Sequence, residues 1–226
     1  MIGIRCGHRR CPSVVLATLL AWPLIGSLAH AHARDYRIDP VHSRIVFFID
    51  HAGFSRAIGT FSGIEGRIQF DPDAPEQTRI EARVPIASLD LGDPEWNRAM
   101  LARRFFHAER HDHAEFVASE VRAIEPGRFA IRGQLRLRGV SREITLDARL
   151  NAERAHPMNF RRTLGASAQV RLARADFRLG AFPGLIGSHA EVIIELEATR
   201  APSPEPDHPA PAQEPPDAPE PPDPSR

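Results

Sequence analysis

Apolar residues fall at every second position along most of this chain, with polar residues between them. Ser43, Ile45, Phe47, Ile49 and His51 share one strand face, because successive side chains of a strand point to opposite sides. Ile64, Gly66, Ile68 and Phe70 repeat the pattern, and Ile80, Ala82, Val84 and Ile86 follow. Phe129, Ile131, Gly133, Leu135 and Leu137 form a face opposed by Arg128, Arg132, Gln134, Arg136 and Arg138. Three further runs are Ile144 to Leu150, Leu164 to Val170 and Val192 to Ala198, the last opposed by Glu191, Glu195 and Glu197. About eight such strands joined by Pro and Gly turns predict an all-β antiparallel barrel or sandwich. One segment departs from the alternation. Asp93-Pro94-Glu95 precedes Trp96, Met100, Leu101 and Phe105, an acid-rich start with an early proline that predicts a short helical insertion.

Alternation does not say which face is wet. A transmembrane barrel would turn its apolar face to lipid and needs aromatic girdles. Beyond residue 33 the chain has one tyrosine, Tyr36, and one tryptophan, Trp96. A soluble barrel with arginines outside is therefore expected. Its interior can be filled or hollow. Small residues at inward positions, Ser43, Gly66, Ala82, Ser88, Gly133, Ala148, Ala166 and Ala168, leave room along the axis. They equally complement the bulky Phe47, Phe61, Phe70, Phe116 and Phe129. Periodicity supports both readings alike.

The two ends differ from the middle. Arg5, Arg9 and Arg10 precede an apolar run, Val14 to Leu28, and then Ala29-His30-Ala31 and Ala31-His32-Ala33. That is the layout of a cleaved signal peptide over residues 1–33, which places the mature protein in the periplasm or beyond. Pro23 breaks the run, which is short for a membrane-spanning helix, so no transmembrane segment is expected in the mature chain. Residues 201–226 contain 11 of the 21 prolines, six acids and no Ile, Leu, Val or aromatic residue. Such a tail cannot bury apolar surface and is expected to be disordered. One folded domain remains, residues 34–200.

Composition narrows the chemistry. Both cysteines, Cys6 and Cys11, lie in the signal segment, so the mature domain has no disulfide and no thiol. All basic residues besides histidine are arginine, which removes a lysine Schiff base. Without the signal segment 26 arginines face 29 acids, and no basic cluster suggests nucleic acid.

The series Asp39-Pro40, His42-Ser43, Ile45, Phe47, Ile49 and His51, then Gly59-Thr60-Phe61, Gly63 and Ile68-x-Phe70-Asp71-Pro72, resembles the YceI-like family. The resemblance continues through Ser88-Leu89, Phe105-Phe106, Phe116-Val117-Ala118-Ser119 and Gly133-x-Leu135-x-Leu137-Arg138-Gly139-Val140. It ends with Arg174-Ala175-Asp176-Phe177 and Leu185-Ile186-Gly187, so that it covers nearly all of the folded part. It implies a lipocalin-like antiparallel β-barrel, exported to the periplasm, that is a non-enzymatic binding or carrier protein. The implied ligand is a polyisoprenoid or another long-chain amphiphilic lipid, with no cofactor. Ile45, Phe47, Ile49, Phe61, Phe70, Phe116, Ile131 and Leu135 are the candidate cavity lining. Ser43 and His51 are candidate anchors for a ligand head group, with backbone hydrogen bonding as the alternative. Some positions depart from the family pattern. Arg104 and His107 flank the Phe-Phe pair where acids are usual, His111-Asp112 replaces an aromatic-Pro pair, and Arg178 replaces a glycine. The sequence does not decide whether two barrels pair as a homodimer.

Two other classes of function can be framed. His107, His111 and His113, near Glu109 and Asp112, have residue types suited to zinc or copper, but spacing alone is weak and the run reads as a polar loop. A hydrolase using Ser43 and His51 would need them in contact. Eight residues apart on one strand, they lie about 26 Å from each other at the usual rise.

Overall fold

The computed structural model describes residues 33–202. The predicted signal segment up to residue 32 and the tail from residue 203 lie outside the described residues.

Among the described residues ten strands form one antiparallel sheet: β1 (Arg34–Ile38), β2 (Arg44–His51), β3 (Ser55–Phe61), β4 (Glu65–Phe70), β5 (Arg79–Pro85), β6 (His113–Glu125), β7 (Arg128–Leu137), β8 (Val140–Ala155), β9 (Arg162–Ala173) and β10 (Ile186–Arg200). They make eight staves of a closed barrel. β10 pairs with β2 along Ile186–Glu195 and with β1 along Ala198–Arg200, so β1 and β2 are two halves of one stave. β3 and β4 likewise form one stave, paired with β2 and β1 respectively. The remaining strands follow in chain order, each paired with the next, and β10 closes the circle onto the first stave. This is an up-and-down, lipocalin-like arrangement in which no sheet edge runs the full length.

The first stave breaks because Pro40 has no N–H to give a ladder, and Asp39 turns the chain by accepting hydrogen bonds from the Val41 and His42 amides at 2.9 and 3.3 Å. Ser43 repairs the ladder: its hydroxyl donates to the Glu197 carbonyl at 3.2 Å and accepts from the Glu197 amide at 3.1 Å. The second stave breaks at residues 62–64. There the Ser88 hydroxyl accepts from the Ser62 amide at 3.1 Å and donates to the Pro85 carbonyl at 2.7 Å.

The outer surface of β6–β7–β8 is a ladder of opposite charges. Arg136 pairs with Glu115, Arg132 with Glu120 and Glu143, and Arg128 with Asp147. The apolar faces therefore point inward. Among the described residues no helix is long and apolar enough to cross a membrane.

The two ends of the barrel are built differently. At one end Tyr36, Ile38, Ile64, Ile68, Phe70, Leu164 and Ala198 pack into a closed core. A bulge between Leu150 and Ala152 shifts the parity of β8, which turns Glu153 inward above this core. Its carboxylate accepts hydrogen bonds from the Tyr36 hydroxyl at 2.5 Å, Arg162 at 2.8 Å and Arg34 at 3.0 Å. Burial pushes the Glu153 carboxyl up, but the Tyr36 hydrogen bond and the Arg162 and Arg34 guanidinium groups outweigh it, and the net shift is downward.

At the other end lie the β2–β3 turn, the long β5–β6 excursion, the β7–β8 turn and the β9–β10 connection. The excursion carries the predicted helix, α1 (Pro94–Leu101). Asp93 caps it by accepting from the Trp96 amide at 2.8 Å, and Pro94 occupies its first turn. The helix stops at Leu101, so Phe105 and Phe106 come from the turn behind it. Met100, Leu101 and Phe106 pack on Phe47, Phe61, Ile86 and Leu89, with Phe106 edge-on to Phe61 at 5.6 Å.

Candidate ligand cavity

Between the closed core and the helical end runs a cavity of about 330 Å³, lined by inward side chains of all eight staves. Small-molecule sites commonly occupy roughly 300–1,000 Å³. Its walls reveal why it is hollow. Ile131, Leu135, Ile144, Val170, Val192 and Ile194 all point inward, yet they are only half-buried. Ala57, Ala82, Ala114, Ala148, Ala166, Ala168 and Ala190 line it too. A strip of alanines on successive strands removes side-chain volume from the axis, and the neighbouring residues cannot close the gap because the barrel wall fixes their backbones. Two glycines set the positions of aromatic rings. The Phe47 ring lies over Gly59, its cross-strand partner, and the Phe116 ring lies over Gly133. A Cβ at either glycine would collide with the ring.

The predicted residues fall into two groups. Ile45, Phe47, Ile49, His51, Phe61, Phe116, Ile131 and Leu135 line the cavity. Phe70 and Ser43 do not, which corrects the sequence reading. Phe70 is 6 % exposed and belongs to the closed core, below the cavity. Ser43 is fully buried, its only hydroxyl hydrogen is donated to Glu197, and its hydroxyl is sealed in the β1–β2 break away from the cavity. The structure adds residues that alternation could not supply. Leu89, Leu91, Trp96, Met100, Phe105 and Phe106 come from the irregular β5–β6 excursion and roof the open end. Only a tertiary path over the barrel brings them there, so the helix signal around Trp96 and Met100 marks the element but not its place over the cavity.

Polar groups are confined to the rim. Asp50 and Glu115 border the cavity but are otherwise engaged: Asp50 accepts from the Gly53 amide, and Glu115 pairs with Arg136 on the outer surface. His51 faces inward, edge-on to Trp96 at 5.8 Å. Arg174, 7 % exposed, is the buried cation of the site. It donates to the carbonyls of Gly187 at 2.8 Å and of Ile186 and Ala181 at 3.1 Å, tying down the β9–β10 connection. Burial pulls its guanidinium down from the ordinary value, and it has no carboxylate partner among the described residues.

The rival readings find little geometry. His107 and His111 stand edge-to-face at 5.7 Å, while His113 turns to Asp112 at 3.1 Å. Among the described residues no three metal-ligating side chains converge on one point. Burial and then the charges of Arg110, His107, Arg138 and Arg136 lower the His111 pKa, and the same positive surroundings would repel a divalent cation. The Ser43–His51 dyad fails as well, since Ser43 precedes β2 and is bound to β10 while His51 is the last residue at the far end of β2, against Trp96.

Comparison with known proteins places this barrel. A YceI-like domain model matches residues 36–198. The chain is 31 % identical to a UPF0312 protein of Photorhabdus laumondii over 188 residues, which covers 82 % of this chain and 96 % of the relative. It is 27 % identical to protein YceI of Escherichia coli O157:H7 over 179 residues, covering 78 % of this chain and 93 % of the relative. Among solved structures, Burkholderia cenocepacia BcnA superposes with a TM-score of 0.66 at 20 % identity, covering 72 % of this chain and 99 % of BcnA. A polyisoprenoid binding domain from Saccharophagus degradans, implicated in plant cell wall breakdown, superposes at 0.57 with 14 % identity, covering 74 % and 98 %. At those identities the two structures speak for the fold. The domain match across the whole barrel and the similarity to the UPF0312 relative settle the classification: this chain belongs to the YceI-like family.

Proposed function

We propose that this protein is a non-enzymatic periplasmic binding protein that holds a polyisoprenoid or another long-chain amphiphilic lipid inside its barrel. The observation that carries the reading is the shape and chemistry of the cavity. It runs along the barrel axis, its walls are almost wholly apolar, and its polar groups His51 and Arg174 sit at one end. A long hydrocarbon chain with one polar end matches that division, and its burial is favourable by roughly 25 cal/mol per Å² of apolar surface before entropy losses. The polyisoprenoid binding of the Saccharophagus degradans domain supports the choice of ligand class. Kinship to YceI and the predicted signal segment support the periplasmic location.

A plug in the middle of the cavity tests this reading. Ala168 faces the axis between Ala148 and Ile194. A fluorescent polyene fatty acid should bind the wild-type protein and be displaced by prenyl alcohols. Ala168→Phe should keep the fold, checked by circular dichroism, and bind roughly tenfold more weakly or worse, about 1.4 kcal/mol. Absence of displacement by any long-chain amphiphile would sink the reading. So would unchanged affinity in the folded variant.

A further inference from the structure

The cavity's open end carries two surface features that lipid binding inside the barrel does not use. The first is a group of arginines. Arg138 donates to the backbone carbonyls of Arg103 and Arg178, which brings three arginine positions together at one side of the mouth. Arg104 joins them, its guanidinium 4.7 Å above the Phe182 ring. Phe182 in turn stacks on Phe105 at 6.0 Å. None of the four arginines has a carboxylate within 4.0 Å among the described residues, whereas arginines on the barrel wall such as Arg83, Arg128, Arg132 and Arg136 are paired. Several acids of this end are committed elsewhere. Asp90 accepts from Gly92 and Asn97, Asp93 caps α1, and Asp112 faces His113. Glu95, Glu109 and Asp176 share the end without pairing with these arginines. Arg104 and Arg178 also stand at two of the positions where this chain departs from the family pattern.

The second feature is a row of exposed apolar side chains beside the arginines. Phe54 on the β2–β3 turn is 91 % exposed, and Leu185 and Phe182 on the β9–β10 connection are 58 % and 42 % exposed. The two loops are joined by a hydrogen bond from the Ala52 amide to the Leu185 carbonyl at 2.7 Å. Three large exposed apolar side chains on two joined loops form a group rather than a singly scattered residue. Loop-tip aromatics beside unpaired arginines are the combination that settles into a bilayer interface, the rings among the upper acyl chains and the guanidinium groups at the phosphates.

We infer that the open end of the barrel is a docking surface for an anionic phospholipid membrane, with Phe54, Phe182 and Leu185 entering the interface and Arg103, Arg104, Arg138 and Arg178 meeting the phosphates. The arrangement points the mouth of the cavity at the lipid surface. It goes beyond the cargo reading and does not require that a cargo be bound.

Vesicle co-sedimentation of the purified mature protein tests it, using phosphatidylcholine vesicles with and without phosphatidylglycerol. The protein should bind the anionic vesicles selectively and be released by salt. A cation at a membrane surface contributes about fivefold in affinity. Arg104→Gln with Arg178→Gln should therefore weaken binding roughly 25-fold. Phe54→Ser should weaken it without changing the preference for anionic lipid. All three side chains are exposed, and an unchanged thermal midpoint confirms that the variants are folded. Equal binding to both vesicle types, no binding to either, or full binding by the double arginine variant would overturn the inference. Retention on an immobilised acidic protein without retention on anionic vesicles would assign the patch to a protein partner and overturn it too.

Discussion

Single residues decide where this barrel is packed and where it is hollow. The cluster of Glu153 with Tyr36, Arg34 and Arg162 closes one end, and its energetics are testable. The Glu153 carboxyl is held below the ordinary glutamate range, so it binds a proton less readily folded than unfolded. Its contribution to stability is complete above the unfolded value of about 4.3 and is lost as pH falls through the lower folded value. Glu153→Gln is expected to cost about 1–3 kcal/mol at neutral pH and to flatten this part of the acid dependence, as read by urea unfolding across the acid range. A variant with wild-type stability and an unchanged acid limb would show that the cluster is only a surface contact. The cluster was not legible in the sequence. Tyr36 and Glu153 are 117 residues apart, and the bulge that turns Glu153 inward leaves no mark in the alternation.

At the scale of elements the alternation was a good guide. Every apolar run named from the sequence became a strand, and the Asp93-Pro94-Glu95 signal became α1. The misreadings fall at interruptions. Ser43 continues the parity of β2 but lies in the break between β1 and β2, where its hydroxyl replaces a ladder hydrogen bond. Phe70 has the parity of a lining residue, but parity gives the face and not the height along the axis, and Phe70 sits in the closed end. The helix has the task of roofing the opposite end, and its cap fixes its first turn. Asp93→Ala should cost about 1 kcal/mol, the usual value of an N-cap. Hydrogen exchange should show the loss as faster amide exchange at residues 97–101 with the protection of β6–β10 unchanged. Ligand release should accelerate in the same variant. Uniform loosening of the whole barrel would contradict a local roofing role.

For the whole molecule, the open question at the level of sequence was whether small inward residues make space or merely fit around large ones. Alternation could not answer, because both arrangements give the same pattern. The closed barrel answers it through geometry. Alanines stand together where β8 meets β9, Ala148 beside Ala168 with Ala166 at the next inward position, while the phenylalanine rings are drawn over Gly59 and Gly133. The aromatic bulk lies along the wall and the axis stays open. Eight of the ten residues singled out in the sequence line that space, whereas its roof comes from the excursion that carries α1. A hollow apolar barrel is costly to leave empty in water, and we propose that a lipid fills it. Native mass spectrometry of the protein purified from a periplasmic fraction, followed by organic extraction and mass analysis, would detect that lipid. A stoichiometric extra mass is expected, recovered in the organic phase as a prenyl or other long-chain amphiphile. A bare polypeptide that stays bare after incubation with isoprenoids and fatty acids would contradict it.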